Sequence, residues 1–228
     1  MLKKYDRPKT SFLTELLIRL RQFTFPGSQN YWENRYSLGG NSGKGSYGKS
    51  AEFKSKFLNS FVRKNDINSI TEYGCGDGNQ LAYAEYPQYI GLDISNEAVE
   101  LSSQLFLEDA SKKFFVYNPK EFETNQRKFV ADLVLSLDVI YHLVEDEVYR
   151  NYLINVFNSA KKYVVIYSSN QEMPRMLYSR HVRHREFTRH IEEWFPTWKL
   201  KGTFKNNTLQ SDKKLNEPSV DFFIFQAR

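Results

Sequence analysis

A single cysteine, Cys75, in 228 residues excludes an intrachain disulfide and leaves no group of thiols to hold zinc. No apolar run approaches the roughly eighteen residues that a membrane span needs. The opening MLKKYDRPKT places Asp6, Arg7 and Pro8 where a secretory segment would carry its apolar stretch, so no signal peptide is expected. Internal repeats and low-complexity tracts are lacking as well. A reducing, cytoplasmic setting is the expectation these absences leave. Neither sign of charge dominates: 32 Lys and Arg stand against 27 Asp and Glu, a formal +5. That balance favours anionic partners without suggesting a protein that coats nucleic acid.

Aromatic residues are plentiful, with 18 Phe and 15 Tyr, which suits a globular fold rich in β-structure. The length fits one domain with an elaboration. The elaboration is expected over residues 1–49. Ser11 caps an amphipathic pattern in SFLTELLIRLRQF, where Phe12, Leu13, Leu16, Leu17, Leu20 and Phe23 share an arc. Two readings of that helix stand: packing on its own domain or a partner, and peripheral contact with an anionic membrane through neighbouring Lys3, Lys4, Arg7 and Lys9. An aromatic stretch, YWENRY, and a glycine-rich loop, SLGGNSGKGSYG, follow. The loop fails as a phosphate-binding Walker motif, because the position five before Gly43 is Leu38 and Lys44 is followed by Gly45. It reads instead as a lid anchored by Tyr31, Trp32, Arg35 and Tyr36, with a plain tether as the alternative.

From Ser50 onward strand and helix signals alternate. SAEFKSKFLNSFVRKN carries helical spacing, and SITEYG, YIGLDI, KFFVYN, ADLVLSL and YVVIYSS read as strands. Helices are expected at 79–86, 96–108 and 145–160. Near-continuous apolar strands in such units predict a parallel sheet covered on both faces. WKLKGTF and SVDFFIFQA have no helix between them, so an antiparallel hairpin at the sheet edge is expected.

The chemistry concentrates in ITEYGCGDGNQL. Glycines at 74, 76 and 78 allow a sharp turn out of the first strand and close backbone approach to a ligand. Glu72 precedes the turn, and Asp93 ends the next strand 21 residues later, where an acid can accept both hydroxyl protons of a ribose. A dinucleotide fingerprint is not met, because the third glycine falls one position early. A carboxylate at Glu72 would repel a pyrophosphate and suits a ligand carrying an ammonium group. S-adenosylmethionine has a ribose, an amino group and no phosphate.

On these residues the chain resembles the class I S-adenosylmethionine-dependent methyltransferases over about residues 50 to 228. EYGCGDG looks like their first motif, YIGLDIS their second, and ADLVLSLDVIYHL the segment ending their fourth strand. The resemblance implies a Rossmann-like, doubly wound α/β fold, with a mostly parallel seven-stranded sheet whose last strand is antiparallel, beside the N-terminal helical extension. It implies that Gly74, Cys75 and Gly76 run under the methionine part with Glu72 close by, that Asp93 holds the ribose, and that Ile94 lies against the adenine. Asn118 stands where an Asp often meets the adenine amino group, and its carbonyl oxygen still accepts that bond. Tyr31 and Arg35 are expected to join the cofactor site through the lid. Cys75 itself reads as a small turn residue rather than a nucleophile.

For the acceptor, Asp138 and His142 follow the fourth strand. His142 is the candidate general base, and Asp138 either orients it or bridges to the cofactor. PRMLYSRHVRHREFTRHIEEWFP, if helical from about Ser179, gathers Arg180, His181, Arg183, His184 and Arg185 as a receptor for an anionic acceptor, with a solvated basic face as the bland alternative. No matching carboxylates accompany those histidines, so no metal is expected. YWENRYSLGGNSGKGSYG, SLDVIYHLVEDEVY and HVRHREFT together resemble a subgroup associated with bacterial surface-polysaccharide gene sets. That resemblance implies O-methylation of a sugar, a nucleotide sugar or a phosphorylated glycan. RNA methylation and a non-catalytic cofactor-binding partner subunit are the competing readings, and no nucleic-acid partner is expected.

Overall fold

The computed structural model describes residues 25–119, 126–175, 178–206 and 218–228. The amphipathic pattern expected at 11–23 lies outside the described residues. Seven strands form one sheet in the order β3-β2-β1-β4-β5-β7-β6. They are β1 (Ile70–Tyr73), β2 (Tyr89–Asp93), β3 (Lys112–Val116), β4 (Ala131–Leu137), β5 (Ala160–Ser169), β6 (Trp198–Phe204) and β7 (Val220–Ala227). The pairs β1–β2, β1–β4, β2–β3 and β4–β5 are parallel. β7 runs antiparallel to both β5 and β6. The expected seven-stranded, mostly parallel sheet with an antiparallel last strand is therefore what the chain forms.

Burial on both faces explains why the central strands read as unbroken apolar runs. Along β4, Leu133, Leu135 and Leu137 face one core with Ile70, Tyr89, Val165 and Phe222, while Val134 faces a second core with Tyr73, Val164 and Phe223. The first core is covered by α2 (Gly48–Lys64), whose Ala51, Leu58 and Val62 are buried; the second is covered by α4 (Asp146–Asn158) and α5 (Phe187–Trp194). α1 (Ser28–Ser37) and α3 (Asn96–Leu105) complete the helices among the described residues. None of them is long and apolar enough to cross a membrane.

Two expected helices differ. Over 79–86 only a single 3-10 turn, Gln80–Tyr83, forms, because the Gln80 side chain is drawn to Ala51 O and Ser55 Oγ of α2 and the chain turns extended at Ala84. The basic segment is not helical from Ser179; its helix begins at Phe187, after His184 and Arg185 have been pulled into the protein.

The chain runs from β1 outward to β3 and then returns to β4 on the other side of β1. The ends of β1 and β4 consequently carry connections that leave in opposite directions, which opens a crevice at the carboxyl edge of the sheet. α1 and the glycine loop lie across that crevice.

Candidate active site

One cavity of about 560 Å³ occupies this edge, within the range of roughly 300 to 1,000 Å³ typical of small-molecule sites. Glu72, Gly74, Cys75, Gly76, Asp93, Ile94 and Asn118, seven of the nine residues expected to hold the cofactor, line it together. The glycine turn depends on its glycines. Gly74 and Gly76 sit at φ 80° and 60°, and a Cβ on Gly74 would come within 2.5 Å of Val139 Cγ2. A Cβ on Gly76 would overlap the Ser42 hydroxyl.

Glu72 points from β1 toward α2 and is buried. Its Oε2 accepts a 2.8 Å bond from Tyr89 OH, and no bond among the described residues engages Oε1. Burial pushes its carboxyl up to about 7, against the opposing pull of the Tyr89 hydrogen bond and of Lys54. Asp93 accepts from Gly76 N at 2.9 Å through Oδ2 and from Ser95 N at 3.0 Å through Oδ1, so the turn and the acid aim one another. Burial raises it to about 6, with those backbone bonds opposing. Burial likewise drives the Cys75 thiol well above its usual range, which removes it as a nucleophile.

His142 also lines the cavity. Its Nδ1 lies 3.0 Å from the carbonyl oxygen of His181; a carbonyl only accepts, so Nδ1 carries the proton and Nε2 keeps a free lone pair. Burial lowers its pKa to about 4, so the ring is neutral near pH 7. The expectation that Asp138 orients His142 is corrected. Asp138 Oδ2 takes a 2.6 Å bond from Lys54 Nζ and Oδ1 a 2.7 Å bond from Tyr141 OH. The main-chain carbonyl of His181 performs the orienting instead.

Lys54 is the charged residue of the cavity that sequence reasoning missed. It lies on the buried face of α2 beside Ala51, Ser55 and Leu58, with its side chain 1% exposed, and its ammonium lies 5.4 Å from the Tyr167 ring centre. Asp138 adopts φ 60°, a conformation a non-glycine residue rarely holds without strong local restraint. A lysine among the apolar positions of α2 was the available signal. Removing either partner of this pair alone is expected to cost a few kcal/mol, since a charge would be left without its counterion.

The acceptor receptor expected from the basic segment is corrected as well. None of Arg180, His181, Arg183, His184 and Arg185 lines the cavity. Arg185 is buried, donating to Leu143 O at 2.7 Å, Val144 O at 2.9 Å and Asp146 Oδ1 at 3.1 Å. Arg183 bonds Val144 O and the same Asp146 carboxylate, and buried His184 meets Ser169 Oγ at 2.6 Å. Arg183 and Arg185 fasten the segment to the start of α4, and His184 fastens it to the end of β5. Arg180 is exposed, outside the cavity. Helical geometry also shifts the lid contacts by one position: Ser28, Gln29, Trp32 and Tyr36 of α1 line the cavity, whereas Tyr31 and Arg35 do not. Tyr31 stacks on His181 at 4.4 Å, and Arg35 Nε donates to Asn41 O at 2.6 Å.

The glycine loop is seated on the glycine turn that follows β1. Asp77 Oδ2 accepts from Ser42 N at 2.9 Å and from Tyr47 OH at 2.7 Å, Ser42 Oγ accepts from Asp77 N at 3.1 Å, and Asn79 Nδ2 donates to Ser46 O at 2.6 Å. Replacing Asp77 by Ala is expected to release it, with amide exchange at Ser42–Tyr47 accelerating on the order of 10- to 100-fold for the loss of two charge-assisted bonds while β1 and β4 keep their protection. S-adenosylhomocysteine should restore the slow rate. Unchanged exchange at these amides in the variant would show that Asp77 is not the clasp.

Residues 71–158 match the family described as "Methyltransferase domain". No curated protein matches the chain. Solved structures share its fold. The N-methyltransferase NodS of Bradyrhizobium japonicum, in complex with S-adenosylhomocysteine, is 12% identical at a TM-score of 0.67, covering 88% of this chain and 98% of its own. The magnesium protoporphyrin IX methyltransferase of Synechocystis is 13% identical at 0.59, covering 92% and 99%. The methyltransferase domain of bacterial CtHen1 is 15% identical at 0.59, covering 77% and 97%. The architecture common to them is the Rossmann-like methyltransferase fold.

Proposed function

We propose that this protein, whose residues 71–158 carry a methyltransferase domain on a Rossmann-like methyltransferase fold, transfers the methyl group of S-adenosylmethionine to a hydroxyl of a small uncharged acceptor, with sugars the favoured class. The observation that carries the cofactor is the convergence of the glycine turn, Glu72, Asp93, Ile94 and Asn118 on one cavity. Bound there, S-adenosylmethionine supplies an electrophilic methyl on a sulfonium. Oε1 of Glu72 is placed to accept from the ligand's ammonium, and each Asp93 oxygen retains a lone pair for a ribose hydroxyl. Ile94 offers an apolar face to the adenine.

The acceptor reading follows from the sign of the wall. Glu72, Asp93, Asp138 and Glu147 line the cavity, against Lys54 as its one Lys or Arg side chain, and Lys54 is already paired with Asp138. With Glu72 and Asp93 turned to the cofactor and Asp138 to Lys54, the lining left for the acceptor carries Glu147 and no Lys or Arg free of a partner, so we read an uncharged polyhydroxylated group in place of the anionic one expected from the basic segment. Trp32 supplies an aromatic face and Gln29, Glu147 and Asn151 supply polar side chains on the same wall, a combination that suits a sugar ring. The same wall disfavours a polynucleotide. Methyl transfer needs alignment above all, and the neutral His142 holds Nε2 ready to take the hydroxyl proton as the oxygen–carbon bond forms.

Calorimetric titration with S-adenosylhomocysteine and with NAD tests the cofactor. Because Glu72 is pushed up to about 7 and Asp93 to about 6, both are partly protonated near neutral pH and must ionise to meet the ligand. S-adenosylhomocysteine affinity should therefore rise between pH 5.5 and 8, with protons released to the buffer. Binding of NAD alone would overturn the reading. Mass-spectrometric screening of neutral sugars against sugar phosphates then tests the acceptor class.

A further inference from the structure

We infer that Lys54 holds the α-carboxylate of the cofactor, bridging it to Asp138; this rests on the reading of the site given above. The ammonium and carboxylate of the methionine part share one carbon. A ligand whose ammonium is held by Glu72 therefore brings its carboxylate within a few ångströms of the same side chain. Glu72 and Asp138 are both carboxylates on that wall, and an unpaired ligand carboxylate would be repelled by each. The cation on hand is Lys54, which lines the same cavity as Glu72 and Gly74 and whose charge acts on the Glu72 carboxyl. One of its three N–H bonds goes to Asp138 Oδ2 and none is given to any other described acceptor, so donors remain for a second carboxylate. The placement is built rather than incidental. Lys54 is held inside by Asp138 and the Tyr167 ring, and Asp138 is itself held by Tyr141 in a left-handed backbone conformation. Burying an ammonium this completely is costly unless its partners satisfy it, and one carboxylate plus a ring leaves a vacant coordination that a ligand carboxylate completes.

The test compares ligands that differ in the carboxylate alone. S-adenosylhomocysteine and its decarboxylated analogue, which keeps the amine, are titrated by calorimetry into the wild-type protein, Lys54→Met and Lys54→Arg. The wild type should bind S-adenosylhomocysteine on the order of 30-fold more tightly than the decarboxylated analogue, the usual worth of a charge-assisted bond. Lys54→Met should lose that preference, binding both ligands with affinities within about threefold, and Lys54→Arg should recover part of it. Because Lys54→Met leaves Asp138 unpaired, the double variant Lys54→Met/Asp138→Asn is measured too, and circular dichroism checks that each variant folds. A preference retained in either folded Met variant would overturn the assignment, and so would a wild type that binds both ligands equally. If the wild type bound no S-adenosylhomocysteine at all, the functional reading itself would fail, a result distinct from either.

Discussion

Replacing Asp93 by Ala should weaken S-adenosylhomocysteine binding by two to three orders of magnitude, on the order of 100- to 1,000-fold for the loss of two charge-assisted bonds to a ribose. The residue stands where β2 ends, at the point where the chain begins to turn into α3, and its two oxygens are already aimed by Gly76 N and Ser95 N. Those bonds fix the carboxylate before any ligand arrives, so its affinity is not reduced by ordering a loose side chain. Asp93→Asn separates charge from shape. It keeps one acceptor oxygen and should retain part of the affinity, with a deficit of about tenfold. Calorimetry reads both variants, and circular dichroism confirms that the sheet persists. An Asp93→Ala protein that binds within threefold of wild type would show that the ribose lies elsewhere.

His142→Ala should lower kcat by about 10²- to 10³-fold while leaving S-adenosylhomocysteine binding within about threefold, the signature of a group acting on the acceptor's proton. The pH dependence has a definite sign. Burial takes the imidazole down to about 4, even though its bond to the His181 carbonyl favours the charged form. The active, neutral ring is therefore present throughout the neutral range. At saturating cofactor, kcat/KM for the acceptor should stay flat from about pH 6 to 8 and fall only as pH drops toward 4. An acid limb near 6.5 that vanishes in His142→Ala would mean that the ring titrates like a solvated histidine, and the buried geometry would not describe the working state. His142→Gln retains a donor for the His181 carbonyl without a basic nitrogen, so it should be as slow as the alanine variant.

Most of the architecture is legible because its signals are local. Unbroken apolar strands announce burial on both faces, and the glycine turn followed by Asp93 announces the cavity at the carboxyl edge of the sheet that both line, since both signals need particular residue types at short separations. What escaped depends on pairings far apart in the chain. Arg183 and Arg185 look like free cations until Asp146 and the carbonyls of Leu143 and Val144 come beside them. Asp138 looks like the partner of His142, four residues on, yet its backbone turns left-handed and delivers the carboxylate to Lys54, 84 residues away. The choice between Tyr31 and Trp32, or Arg35 and Tyr36, is a matter of helix rotation. A segment of mixed aromatics and charges such as YWENRY does not declare which side faces inward.

The acidic wall bears on how a catalytic cycle ends. Transfer of the methyl leaves the sulfur neutral, so the demethylated product carries one positive charge fewer than the molecule that entered. A cavity with an excess of carboxylates loses part of its hold on the cofactor at the moment the chemistry is complete. On the proposed function, the same groups that gather the cofactor would favour exchange of spent cofactor for fresh, without any movement of the sheet that carries them.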